Sequence, residues 1–169
     1  MSTMWKLDPT HSEITFKVKH MMISNVKGEF TDFDAEISSD DETFETAKIT
    51  ASIKTNSIFT NNADRDAHLK AEDFFNAEKF SEITFEANAL NGDVTGNLTL
   101  NGITKPITLD IDFGGINKDP WGNTKAGFSF EGKISRKDFG LSWNAALETG
   151  GVMVSDEVKI SGDLQFVKQ

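Results

Sequence analysis

Apolar and polar residues alternate along most of this chain. Ile14, Phe16, Val18 and His20 are interleaved with Thr15, Lys17 and Lys19, the pattern of a strand with one wet face. Val26, Gly28 and Phe30 continue it after a short turn, and the phase then slips to Phe33, Ala35 and Ile37. A one-residue slip turns the inner face outward unless a bend or bulge absorbs it. The spacing therefore predicts a bend near Thr31 and Asp32. Six further alternating segments cover 47–53, 83–89, 94–100, 107–113, 126–134 and 158–166. Asn101-Gly102 predicts a tight hairpin, because both residues tolerate positive φ. Pro106 falls near a strand start, where a missing donor is tolerated. Eight alternating strands in one small domain predict an all-β barrel or sandwich.

Two stretches break the rhythm. Residues 62–76 combine helix formers with an Asn62 cap and early acidic residues, which predicts one or two short helices. Residues 135–151 mix a turn with Phe139, Leu141, Trp143 and Leu147 before a glycine pair. Connections of that length in a compact β domain are often lids or ligand contacts.

Charge and composition narrow the chemistry. The chain has 169 residues, enough for a single domain over 1–169. Its 17 Lys and Arg face 27 Asp and Glu, a net charge of -10 that argues against nucleic acid as a partner. There are no cysteines, which excludes disulfides, thiolate metal sites and cysteine nucleophiles. Fourteen Phe, three Trp and no Tyr supply rings that fill apolar space with little demand for hydrogen bonds. No basic leader region and no run of about 20 apolar residues is visible. That predicts a soluble, cytoplasmic protein without an integral membrane segment; removal of a leader would place it in the periplasm instead.

Small residues recur on the apolar faces: Ala47, Ala51, Ala87, Ala89, Gly96, Ala126, Gly132 and Gly162. An eight-stranded barrel is either filled by side chains or holds one small ligand. Small inward residues favour a hollow, whereas large–small interdigitation would give a filled barrel. A hollow with such a lining suits a long hydrocarbon. A chain of around twenty carbons would gain on the order of 16 kcal/mol gross from burial. Catalytic signals are weak. His11, His20 and His68 lack metal-motif spacing and read first as hydrogen-bonded structural residues, or else as contacts to a polar head group. No catalytic residue, metal site or cofactor is assigned.

Several longer motifs then stand out. Trp5-x-Leu7-Asp8-x-x-His11-Ser12-x-Ile14-x-Phe16, with Val18-x-His20 and Gly28-x-Phe30, opens the chain. Arg65-Asp66-x-His68-Leu69, Asp73-Phe74-Phe75-Asn76 and Phe80-Ser81-Glu82-Ile83-Thr84-Phe85 follow. Gly96-x-Leu98-Thr99-Leu100-x-Gly102-Ile103-Thr104-Lys105-Pro106 and Arg136-x-Asp138-Phe139-Gly140 complete the set. In order and spacing the set resembles the YceI-like family, also called polyisoprenoid-binding proteins. The resemblance implies an all-β, eight-stranded antiparallel lipocalin-like barrel, with one or two short helices in its long loops. It also implies an extended isoprenoid, isoprenoid quinone or fatty-acid derivative as ligand, and homodimers.

On this reading the protein binds and carries or sequesters a long apolar or amphiphilic chain and is not an enzyme. Strand phase assigns Phe16, Val18, Ile49, Phe85, Ala87, Leu98, Leu109, Phe128 and Ile160 to the tunnel wall. Met22, Phe139, Leu141, Trp143 and Leu147 are candidates for its mouth, and His20 for a head-group contact. Two other readings are a dimeric interaction or stress-response module with a filled barrel, and a lipid-modifying enzyme using His20 or His68.

Overall fold

The fold is that of a computed structural model, which describes residues 3–20, 23–40, 43–70, 77–141 and 154–169. The strands are β1 (Thr3–Leu7), β2 (Glu13–His20), β3 (Ser24–Phe30), β4 (Phe33–Ser39), β5 (Lys48–Lys54) and β6 (Ile58–Phe59). They continue as β7 (Glu82–Ala87), β8 (Gly92–Leu100), β9 (Ile103–Lys118), β10 (Thr124–Ser135) and β11 (Val154–Lys168). Among the described residues one α-helix, α1 (Ala63–Lys70), lies between β6 and β7.

All pairings are antiparallel, and they close a ring. The order β1-β4-β5-β7-β8-β9-β10-β11 returns to β1 through a β1–β11 pairing. The long β11 also pairs with β2, β2 with β3, and β3 with β6. Thus β1 with β2, β3 with β4, and β5 with β6 each occupy one position in the wall. The result is a closed eight-stranded, up-and-down antiparallel barrel of lipocalin type.

The predicted phase slip is a break between β3 and β4: Thr31 and Asp32 form a bend between the two strands. Asn101 and Gly102 turn with φ of 54° and 74°, which suits their hairpin. A Cβ on Gly102 would also meet the Phe80 ring at 2.5 Å, so any larger residue would be strained twice. Asn62 caps α1 through its side-chain oxygen, which accepts from the Arg65 N–H at 3.0 Å. The helix occupies the first part of the predicted interval; 71–76 lie outside the described residues. The alternation does not predict β1, because Met4 is apolar and 41% exposed, blurring the pattern set by buried Trp5 and Leu7.

A charged corner joins β1 to β2. Asp8 Oδ1 accepts from the Thr10 N–H at 3.2 Å and the Thr10 hydroxyl at 2.7 Å. Asp8 Oδ2 lies 2.8 Å from His11 Nδ1 and 2.9 Å from Lys125 Nζ. The Lys125 ammonium foremost and then Thr10, with a lesser part from His11, hold this carboxyl well below the usual carboxylate range against the opposing effect of burial. His11 is thereby a structural histidine. A depressed folded pKa stabilises the fold above the unfolded value, about 3.9, and that stability is lost as pH falls through the folded pKa. We predict that Asp8→Asn lowers unfolding free energy by about 1.5–3 kcal/mol at neutral pH. The deficit relative to wild type should shrink below about pH 4. Urea melts across pH check this, and an unchanged deficit down to strong acid would contradict it.

Candidate ligand cavity

Barrel closure brings the inner rows of nearly every strand around one cavity of about 310 Å³. Its wall includes Phe16 and Val18 from β2, Ile49 and Ala51 from β5, and Phe85 from β7. Leu98 of β8, Leu109 of β9, Phe128 of β10 and Ile160 of β11 complete the circuit. Several inward residues remain only half-buried, among them Phe16, Val18, Ala51, Phe130, Ile134 and Ile160. A filled barrel would bury such apolar side chains completely. Their accessible surface faces the hollow.

The glycines act differently from the sequence expectation that small inward residues vacate space. A Cβ on Gly28 would meet the Phe16 ring at 2.2 Å, and one on Gly96 the Phe85 ring at 2.5 Å. Gly162 stands in the same relation to Phe130, and Gly132 to the Leu109 side chain. Each glycine is therefore covered by a neighbouring side chain, which rests against the wall instead of reaching across the lumen. Large–small matching and a hollow coexist.

One end of the barrel is plugged. Phe44, in the β4–β5 connection, is fully buried and meets Trp5, Phe113 and Phe128 at centroid distances of 5.4, 5.1 and 5.0 Å. Its φ of 59° is left-handed, a conformation that costs a non-glycine residue roughly 1–2 kcal/mol. A hydrogen bond from the Leu90 N–H to the Phe44 carbonyl, 2.9 Å, anchors the loop. Phe128 belongs to both this cluster and the cavity wall, so the plug forms the floor of the hollow. Sequence reasoning missed Phe44; the only signal was a lone aromatic within the polar run 40–46.

The opposite end carries the polar groups. There the β5–β7 connection contributes Arg65, His68 and Leu69 from α1 to the lining, and the β10–β11 connection contributes Arg136 and Leu141. Thr60 ties α1 down: its N–H and hydroxyl donate to Asp66 Oδ1. Arg65 Nε donates to the Thr60 hydroxyl at 2.8 Å and Nη2 to the Thr60 carbonyl at 2.6 Å. Arg136 is 5% exposed, and burial pushes its pKa down, with Asp156 acting in the opposite sense. The Asp156 carboxyl is lowered chiefly by the Ser135 hydroxyl it accepts, aided by the Lys137 N–H at 3.0 Å.

Among the residues singled out from sequence, Phe16, Val18, Ile49, Phe85, Leu98, Leu109, Phe128, Leu141 and Ile160 share this cavity. Ala87 and Phe139 are buried but do not line it. Met22, Trp143, Leu147 and the His20 side chain lie outside the described residues. Sequence reasoning misses Arg65 and Arg136 as site residues, because charge alone does not mark a lumen-facing side chain. Among the described residues no three His, Asp or Glu groups converge as metal ligands. No described helix is long and apolar enough to cross a membrane.

A closed eight-stranded barrel around an apolar cavity, plugged by aromatic rings at one end, defines a lipocalin-like binding protein. Residues 5–166 match the YceI-like domain, and the chain belongs to that family. A UPF0312 protein of Staphylococcus aureus strain N315 is 42% identical over 166 residues, 97% of each chain. The Campylobacter jejuni YceI protein superposes with a TM-score of 0.75 at 34% identity, over 89% of this chain and 90% of that one. Burkholderia cenocepacia BcnA gives 0.78 at 21% identity, over 94% and 98%. A polyisoprenoid binding domain from Saccharophagus degradans, implicated in plant cell wall breakdown, gives 0.73 at 16% identity, over 98% of both chains. The last two show the fold alone. None of these names is enzymatic.

Proposed function

We propose that this protein binds a long-chain amphiphile in its barrel and carries or sequesters it without chemical change. The ligand class is an isoprenoid, an isoprenoid quinone or a fatty-acid derivative. The observation that carries this reading is the half-buried apolar inner face around a cavity of about 310 Å³. A dry apolar cavity of about 150 Å³ admits benzene, so this volume accommodates on the order of a dozen carbons. The fold shared with a domain named for polyisoprenoid binding agrees with the class.

That capacity is smaller than the twenty-carbon chain considered from sequence. About a dozen methylenes gain on the order of 10 kcal/mol gross, against association costs of about 4–15 kcal/mol. Micromolar binding needs about 8 kcal/mol net. A tail of this size therefore binds firmly only with help from its head group, or if more of the chain finds cover. Organic extraction and mass spectrometry of freshly purified protein test the reading. We expect near-stoichiometric recovery of one lipid class, either directly or after incubation with isoprenoids and fatty acids. Recovery of none would contradict it.

A further inference from the structure

We infer that the cavity selects amphiphiles with an anionic head group, a carboxylate or a phosphate monoester, which Arg65 holds at the end of the barrel carrying α1. The inference rests on the carrier reading and specifies the ligand class of the same cavity. Its first support is a reversal of charge. The chain as a whole carries 27 acidic against 17 basic residues, yet among the described residues the cavity is lined by Arg65, Arg136 and His68 and by no Asp or Glu. The remaining described lining residues are apolar apart from Thr15.

The second support is how Arg65 is used. A guanidinium has five N–H donors. Two of these go to the hydroxyl and carbonyl oxygens of Thr60, which are neutral acceptors. Those two bonds fix the planar fork while leaving three donors and the full charge for another group. Asp66, the adjacent carboxylate, is spent on the Thr60 N–H and hydroxyl and does not line the cavity. A rigidly held guanidinium with donors to spare suits two-pronged recognition of carboxylate or phosphate oxygens. His68, one turn further along α1, and Arg136, from the facing connection, also line this end, each with interactions of its own. A neutral amide or alcohol would accept hydrogen bonds from Arg65 but bring no opposite charge to the guanidinium.

The test titrates the purified full-length chain with oleate, oleamide and oleyl alcohol, which share one tail, below their aggregation thresholds. Farnesyl phosphate and farnesol form a second pair. We expect oleate to bind at least about tenfold more tightly than oleamide, and farnesyl phosphate to exceed farnesol similarly; preference in one pair alone would identify carboxylate or phosphate as the favoured anion. In Arg65→Gln the advantage should fall below about threefold while oleyl alcohol binds as before. Loss of every ligand in that variant would mean damage to the fold, and the wild-type comparison then decides without it. Measurable binding of all five probes with no anion preference would overturn the inference and leave the carrier reading standing. Binding of none would overturn both.

Discussion

Ala51→Phe should reduce lipid loading by at least about tenfold while leaving the barrel folded. Ala51 lies on the wall of the cavity opposite Ala35 and Phe85 in the sheet register. The added ring projects into space that is empty of protein, so it meets little of the strain that costs roughly 1–3 kcal/mol in a packed core. It does fill the volume a chain would occupy. Stability should therefore stay within about 1 kcal/mol of wild type, and extractable lipid should drop. Ala87→Phe is the informative contrast. Ala87 is buried but off the cavity wall, so the same ring should destabilise by about 1–3 kcal/mol. Equal loading in Ala51→Phe and wild type would show that chains bind elsewhere.

Phe44→Ala should be the most damaging single substitution for stability among those considered, at about 3–5 kcal/mol. The Phe44 ring makes three aromatic contacts near 5 Å, and its removal opens a void between β1, β9 and β10. Domains are stable by only about 5–15 kcal/mol, so a drop in melting temperature on the order of 10 °C follows. The left-handed backbone supplies an internal control. Glycine relieves the φ cost that alanine retains, so Phe44→Gly should be the milder of the two by about 1 kcal/mol. Calorimetry on the three proteins decides this. A loss under about 1 kcal/mol in Phe44→Ala would mean the plug is not a packed part of the core.

These two positions also show what the sequence does and does not reveal. Ala51 sits in a strand whose alternation is plain, so its facing follows from a period of two. The break at Thr31 and Asp32 and the turn at Asn101 and Gly102 are local and legible for the same reason. Phe44 is not legible: its place in the barrel depends on a loop folding back across strands distant in sequence. The glycines mislead for a related reason. That Gly28 lies beneath Phe16 and Gly162 beneath Phe130 is a matter of cross-strand register, which one strand's pattern does not carry. Arg65 and Arg136 are invisible to periodicity altogether, since a charged residue in a connection ordinarily faces water. Only the return of both connections to the same end of the barrel turns them toward the lumen.

The most direct measurement is to locate the tail of a bound chain. A fatty acid brominated at its terminal carbon, bound to the full-length protein, marks that end by anomalous scattering. A bromine peak is expected inside the barrel near Phe128 and Leu90, with the carboxylate toward Arg65. A peak on the outer wall, or an interior occupied only by side chains, would contradict it.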